Sequence, residues 1–252
     1  MGLIMGNRMK NRCTITLTAL ALIISPIIIS PAVWAANDID NIGNLDQNLF
    51  RDLTNDLGTA LNYKALTPDE PLGGLGFDVG FDVTSASMES NALEQATTGD
   101  APDKLLIPKV RFHSDLPLGF DVSAFYGSVP DSNIGLIGGE IRYAIYDGSS
   151  RAPAIAIRGT FSQISGVDEL NLSTRGVELS VSKGFALFTP YAGVSTMRIE
   201  SDTNVLGLRG EDVTENKYFL GFNLNLGQMK ITAETEKNGD ESSTSANIGV
   251  RF

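Results

Sequence analysis

Residues 75–84 read LGFDVGFDVT. Leu75, Phe77, Val79, Phe81 and Val83 share one parity; Gly76, Asp78, Gly80 and Asp82 share the other. A period of two belongs to an extended strand, which sends successive side chains to opposite faces. The same period recurs downstream. LIPKVRFH (106–113) sets Leu106, Pro108, Val110 and Phe112 against Lys109, Arg111 and His113. LGFDVSAFY (118–126) sets Leu118, Phe120, Val122, Ala124 and Tyr126 against Asp121 and Ser123. Glu140 and Arg142 alternate with Ile137, Ile141, Tyr143 and Ile145, and Arg158 with Ile155, Ile157 and Phe161. Glu178 alternates with Val177, Leu179 and Val181. Lys217, Asn223 and Asn225 alternate with Tyr218, Leu220, Phe222, Leu224 and Leu226. Lys230, Glu234 and Glu236 alternate with Met229, Ile231 and Ala233. FTPYAGVST (188–196) is less regular, and TSANIGVRF (244–252) closes the chain on alternating Ala246, Ile248, Val250 and Phe252.

This pattern predicts about ten strands, with eight or twelve as the neighbouring even counts. Strands of roughly 8–13 residues match what a tilted β-strand needs to cross a bilayer. The connections alternate in length. SDLP, KGF and GQ fall at even gaps, while the long stretches after the first and seventh strands fall at odd ones. An up-and-down barrel with long loops on one side and tight turns on the other has this asymmetry.

Alternation alone does not say which face is inside. A soluble barrel points its apolar face inward; a membrane barrel points it at lipid and keeps a polar lumen. The polar face here is rich in Gly, Ser and Asn as well as charge, which suits a crowded interior. Phe112, Phe188 and Phe252 fall at the short-turn ends, and Tyr126, Phe161 and Tyr218 at the long-loop ends, as interfacial girdles would. The expected fold is therefore all-β: a transmembrane antiparallel barrel over residues 73–252, preceded by a short helix.

The alternating last strand ending on Phe252 resembles the assembly signal of bacterial outer-membrane β-barrel proteins. FTPYAGV resembles strand segments of small barrels of that class. From DLGTALNYKAL (56–66) through GFDVGFDV (76–83) to GFNLNLG (221–227), the chain is similar to a small-barrel proteobacterial family without an assigned activity. The resemblance implies recognition of Ala246, Ile248, Val250 and Phe252 by the barrel assembly machinery. It implies a place in the outer membrane among lipid and lipopolysaccharide, and it carries no catalytic motif.

The beginning of the chain fits export. Arg8, Lys10 and Arg12 precede the apolar run TITLTALALIISPIIIS, and VWA ends at Ala35. This is the three-part pattern of a cleavable signal peptide over residues 1–35. Its removal changes the net charge from −11 to −14 and takes away the only cysteine, Cys13, and the only tryptophan, Trp34. No disulfide or thiolate metal site is then possible. An acidic chain is also a poor nucleic-acid partner.

Residues 36–72 form the other segment. Leu45, Leu49, Leu53 and Leu57 recur every four residues, and Gly58 stands where a helix would be capped. TALNYKAL (59–66) reads as a short strand. An amphipathic segment with no other domain to pack on is expected to start in the periplasm and fold into the lumen as a plug.

The lumen-facing parity collects Asp78, Asp82, Asp121, Glu140, Glu178, Glu234 and Glu236 with Lys109, Arg111, Arg142, Arg158, Lys217, Lys230 and Arg251: seven acids against seven bases. Balanced charge suits an ion-paired interior, because an unpaired buried charge is costly. The expected protein is a monomeric, non-enzymatic barrel without cofactor or metal: a small passive, porin-like channel or a structural surface protein. A barrel enzyme acting on lipid or peptide is the alternative, and a secreted soluble barrel that binds a ligand is third. The enzyme reading is weak because the chain has one histidine, His113, whose neighbour Ser114 points to the opposite face.

Overall fold

A computed structural model describes residues 38–68, 76–88, 90–97, 104–149 and 151–252. The signal segment with Cys13, Trp34 and the expected cleavage at Ala35 lies outside these residues, as does the boundary expected at 72–73.

Ten strands form the wall: β1 (Phe77–Ser87), β2 (Lys104–Asp115), β3 (Phe120–Ser128), β4 (Gly135–Tyr146), β5 (Ala154–Ser165), β6 (Leu170–Ser182), β7 (Phe188–Thr203), β8 (Glu211–Leu226), β9 (Met229–Asn238) and β10 (Glu241–Arg251). Each pairs antiparallel with its sequence neighbours, and β1 pairs with β10, so the barrel closes and no sheet edge remains. Closure continues to the last residue. Phe252 N–H donates to the Phe77 carbonyl at 2.9 Å, and the two rings stack at 5.1 Å. The tightest turns, Gly227–Gln228 and Gly239–Asp240, each place a glycine at positive φ in the first loop position, where a side chain would be strained.

Three connections are shorter than the sequence suggests. The last hairpin turns on two residues and the β5–β6 link on four (166–169), because the flanking polar residues continue the ladder. The β7–β8 link has only seven (204–210), since both strands run to 16 residues. The third strand starts at Phe120, two residues later than expected. Leu118 belongs to a 3-10 turn at φ 67 and is 87% exposed. Pro108 and Pro190 sit in regular register rather than at bulges. Pro108 lies one rung before β3 pairing begins at Lys109, and Pro190 one rung beyond the last β6–β7 pair, where its carbonyl accepts from Lys183 N–H at 3.1 Å, so each stands at the end of a neighbouring ladder. The one register shift in the wall described here falls instead at Ala144/Tyr146 between β4 and β5.

Inside the wall runs α1 (Gln47–Leu61), followed by α2 (Ala92–Ala96) in the β1–β2 connection. Asp46 caps α1 by accepting from Asn48 and Leu49 N–H, both at 2.9 Å. Phe50, Leu53, Leu57, Ala60 and Leu61 are fully buried. Gly58 does not end the helix. It lies within it, where the missing side chain lets the helix close on Ile199 of β7. TALNYKAL is accordingly not a strand of the wall. Thr59, Ala60 and Leu61 finish α1, and Asn62–Leu66 continue through the lumen without ladder pairing. Asn62 Nδ2 and Lys64 Nζ take up the Thr59 carbonyl at 3.0 and 3.1 Å, satisfying the end of the helix.

The direction of this segment is the reverse of expectation. Its first residues lie at the long-loop end. Ile39 N–H donates to Asn133 of the β3–β4 loop, Ile39 bridges Thr97 of the β1–β2 connection, and Gln47 reaches Arg209 of the β7–β8 loop. The helix descends from there, and the chain reaches β1 at the short-turn end. Apolar residues explain the choice. At the long-loop end the inward parity is itself apolar, with Leu105, Ile107, Leu136, Leu172, Met197 and Ile199 buried against α1.

Candidate functional site

The barrel wears its apolar residues outside. Val110, Tyr126, Ile137, Ile141, Val177 and Leu220 are each more than half exposed, while the charged parity of the same strands is buried. Phe77 with Phe112 and Phe252, Phe120 with Tyr143, and Phe188 with Phe222 form an aromatic belt at the short-turn end. An outward apolar band edged by aromatics around a polar lumen is the arrangement of a barrel that spans lipid. The band stops well before the tips of β6–β8. Above it the outer face carries Arg175, Arg198, Glu200 and Asp212, with Arg198 bridging Glu200 at 3.2 Å and pairing with Asp212.

The lumen has two levels. The upper one is the apolar collar around α1. The lower one holds the charges. Asp78, Asp82, Lys109, Arg111, Asp121, Glu140, Arg142, Arg158, Glu178, Lys217, Lys230, Glu234 and Glu236 all point inward with at most 7% of their surface exposed; Arg251, near the rim, is half-buried. Arg111 Nε holds Asp82 at 2.7 Å, and Asn247 takes the other oxygen of Asp82 at 2.5 Å. Lys230 holds Asp78 at 2.7 Å and Arg142 holds Asp121 at 2.6 Å. Arg158 sits between Glu140 at 2.9 Å and Glu178 at 3.1 Å. Lys217 pairs with Glu178 and lies 3.7 Å from Glu236. Opposite charges thus meet across neighbouring strands, as Arg158 of β5 meets Glu178 of β6 and Arg142 of β4 meets Asp121 of β3.

The segment that follows α1 completes this network. Tyr63 OH accepts from Arg111 at 2.5 Å, and its ring lies under the same guanidinium. Lys217 donates to the Tyr63 carbonyl at 2.9 Å, Lys64 pairs with Glu236, and Leu66 N–H donates to Glu234 at 3.1 Å. Arg142 donates to the Pro68 carbonyl at 2.5 Å. Ions that would otherwise be half-paired are satisfied by backbone and side chains of residues 63–68.

Several of these partners escape sequence reasoning. Tyr191, Phe125 and Phe219 point inward although most aromatics point out. Each stands directly opposite a glycine: Phe125 by Gly138, Phe219 by Gly193 and Tyr191 by Gly221. A Cβ on Gly138 would fall 2.6 Å from the Phe125 ring, and one on Gly221 2.5 Å from the Tyr191 hydroxyl. The glycines of the inner face thus make room for rings, and Tyr191 in turn donates to Glu234 at 2.9 Å. Lys109, placed in the lumen by parity, has no carboxylate partner among the described residues; its ammonium lies 5.3 Å from the Phe125 ring. His113 faces inward and Ser114 does not, so these two neighbours form no dyad.

Ala246, Ile248, Val250 and Phe252 all lie on the outward face of β10 and its end.

No protein-family model matches the chain, and no curated protein matches it in sequence. Solved structures do. The KdgM porin in complex with disordered oligogalacturonate is 9% identical, covering 69% of this chain and 99% of that one with a TM-score of 0.39. The outer membrane protease OmpT from Escherichia coli is 8% identical over 71% of this chain and 96% of its own, with a TM-score of 0.39. Neisserial surface protein A is 13% identical over 71% and 97%, with a TM-score of 0.31.

Proposed function

We propose that this outer-membrane barrel is closed at rest and works as a structural and surface-interaction protein rather than as an open channel. The observation that carries this is the threading of residues 39–68 through the lumen. The apolar face of α1 fills the upper half, and Tyr63, Lys64 and Leu66 lock into the ion pairs of the lower half. A conducting pore needs a water-lined path; a lumen whose charges are buried and mutually neutralised favours closure. The interaction surface is the outer rim, where residues 38–48, α2 and the polar tips of β6–β8 meet.

The even strand count returns both ends of the wall to the short-turn side, which faces the periplasm. Ala246, Ile248, Val250 and Phe252 present the outward, lipid-side ridge that the barrel assembly machinery would read, and the barrel needs no second copy to close.

Planar-bilayer recording tests the reading. The full mature chain is expected to give no stable conductance steps. A variant lacking residues 38–66 is expected to insert and conduct. Steady conductance by the full chain, or silence from the inserted deletion variant, would overturn the plug.

A further inference from the structure

The short-turn end of the lumen holds a cluster that the ion-pair network does not absorb. Asp115 at the end of β2 stands directly opposite Asp121 at the start of β3. Two like charges facing each other across a ladder repel, and both are buried. Asp121 is compensated, since Arg142 Nε and Nη2 both contact its Oδ2, at 2.7 and 2.6 Å. Asp115 is not: among the described residues neither of its oxygens has a hydrogen-bond partner, although the residue is 4% exposed. One turn of the pleat above it is His113, the only histidine of the chain, 1% exposed. Its Nδ1 also has no hydrogen bond. One ligand atom from each of His113, Asp115 and Asp121 falls within 4.8 Å of the others.

The His113–Asp115 spacing is that of ligands rather than of a hydrogen bond, and the set as a whole, within 4.8 Å, would draw in to meet one ion. His113 Nε2 and Asp115 Oδ1 are 3.4 Å apart and make no hydrogen bond. Two donors at about 2.0–2.1 Å from a tetrahedral ion stand about 3.3–3.4 Å from each other. Arg142 grips one oxygen of Asp121 and leaves Oδ1, and Glu140 Oε1 lies 4.0 Å from His113 Nδ1, on the far side of the ring and beyond hydrogen-bond reach. We propose that His113, Asp115 and Asp121 form a binding site for one divalent transition-metal ion of the zinc type, open at its fourth position toward the short-turn mouth. Imidazole with two carboxylates suits that class, whereas calcium would want six to eight oxygens. The ion would supply the positive charge that Asp115 lacks and tie β2 to β3 beside their turn.

The full mature chain, untagged, folded in detergent and stripped with chelator, is titrated with Zn2+ and with Ca2+. One equivalent of Zn2+ is expected to bind and to raise the thermal midpoint, with Ca2+ weaker by at least about tenfold. Asp115→Asn and His113→Ala are each expected to weaken Zn2+ at least a hundredfold, and Ser114→Ala to leave it unchanged. Because the chain has a single histidine, its imidazole nitrogen resonances report on the wild type alone. Zn2+ should shift Nε2 as a ligated nitrogen, which decides the matter even where a variant fails to fold. The site is refuted by absence of saturable Zn2+ binding to the wild type, by an unshifted imidazole, or by undiminished binding to folded Asp115→Asn.

Discussion

Arg111→Ala is expected to destabilise the folded barrel by about 3–5 kcal/mol, the usual cost of stranding one partner of a buried pair. Arg111 is fully buried and joins four elements. It holds Asp82 of β1 at 2.7 Å, donates to Tyr63 at 2.5 Å, and lies over the rings of Tyr63 and of Phe125 on β3. Alanine leaves Asp82 with Asn247 and no cation bonded to it. The nearest candidate to replace it, Lys109, is two residues away on the same strand with its ammonium over Phe125. Equilibrium urea unfolding in lipid vesicles, read by heat-modifiable mobility, measures the loss. Asp82→Ala combined with Arg111→Ala should recover most of it, because the double variant removes both charges together. A single variant as stable as the wild type would mean that the lumen is wet and the pair screened.

Leu57→Asp is expected to release the plug while leaving the wall intact. Leu57 is fully buried in the upper collar, one residue from the contact of Gly58 with Ile199. The change forfeits about 2–3 kcal/mol of apolar burial and places an unpaired carboxylate among aliphatic groups, for a total on the order of 5 kcal/mol. The strand ladder contains no atom of residue 57, so the barrel should keep its heat-modifiable mobility. Trypsin reads the outcome at one bond. Lys64 is fully buried and paired with Glu236 in the wild type. Cleavage after Lys64 should appear in Leu57→Asp and be absent from the folded wild type. Resistance of Lys64 in the variant would show that α1 is not held by its apolar stripe.

The strands were legible because parity survives any number of turns and loops. Asp78, Arg111, Glu178 and Lys217 could be placed on the inner face without knowing what they meet. Parity says nothing of height along the barrel. Leu105 and Ile107 share the parity of Lys109 and Arg111 yet line an apolar collar, and that change along one strand is the signal that marks where a helix sits. The partners also depend on register. Phe125 opposite Gly138, or Asp115 opposite Asp121, are facts of pairing between strands and cannot be read from either strand alone. Gly58 misled for the same reason: glycine is a common helix terminator, but here it answers to Ile199 across the lumen. The segment's direction was hidden too, since an amphipathic stripe fits a plug entering from either mouth, and only the contacts of Ile39 and Gln47 fix which.

That direction decides both how the lumen is closed and which residues the cell presents. Asp40 is exposed at the long-loop end, beside Asn133. In a mature chain without Cys13, Asp40→Cys would be the only thiol. Intact cells expressing this variant are treated with a membrane-impermeant maleimide, with Gln228→Cys, in the β8–β9 turn at the opposite end, as the counterpart. Labelling of residue 40 in intact cells, with residue 228 labelled only after the outer membrane is breached, is the predicted result. Protection of residue 40 until the membrane is opened would contradict the threading of the plug from the outer face.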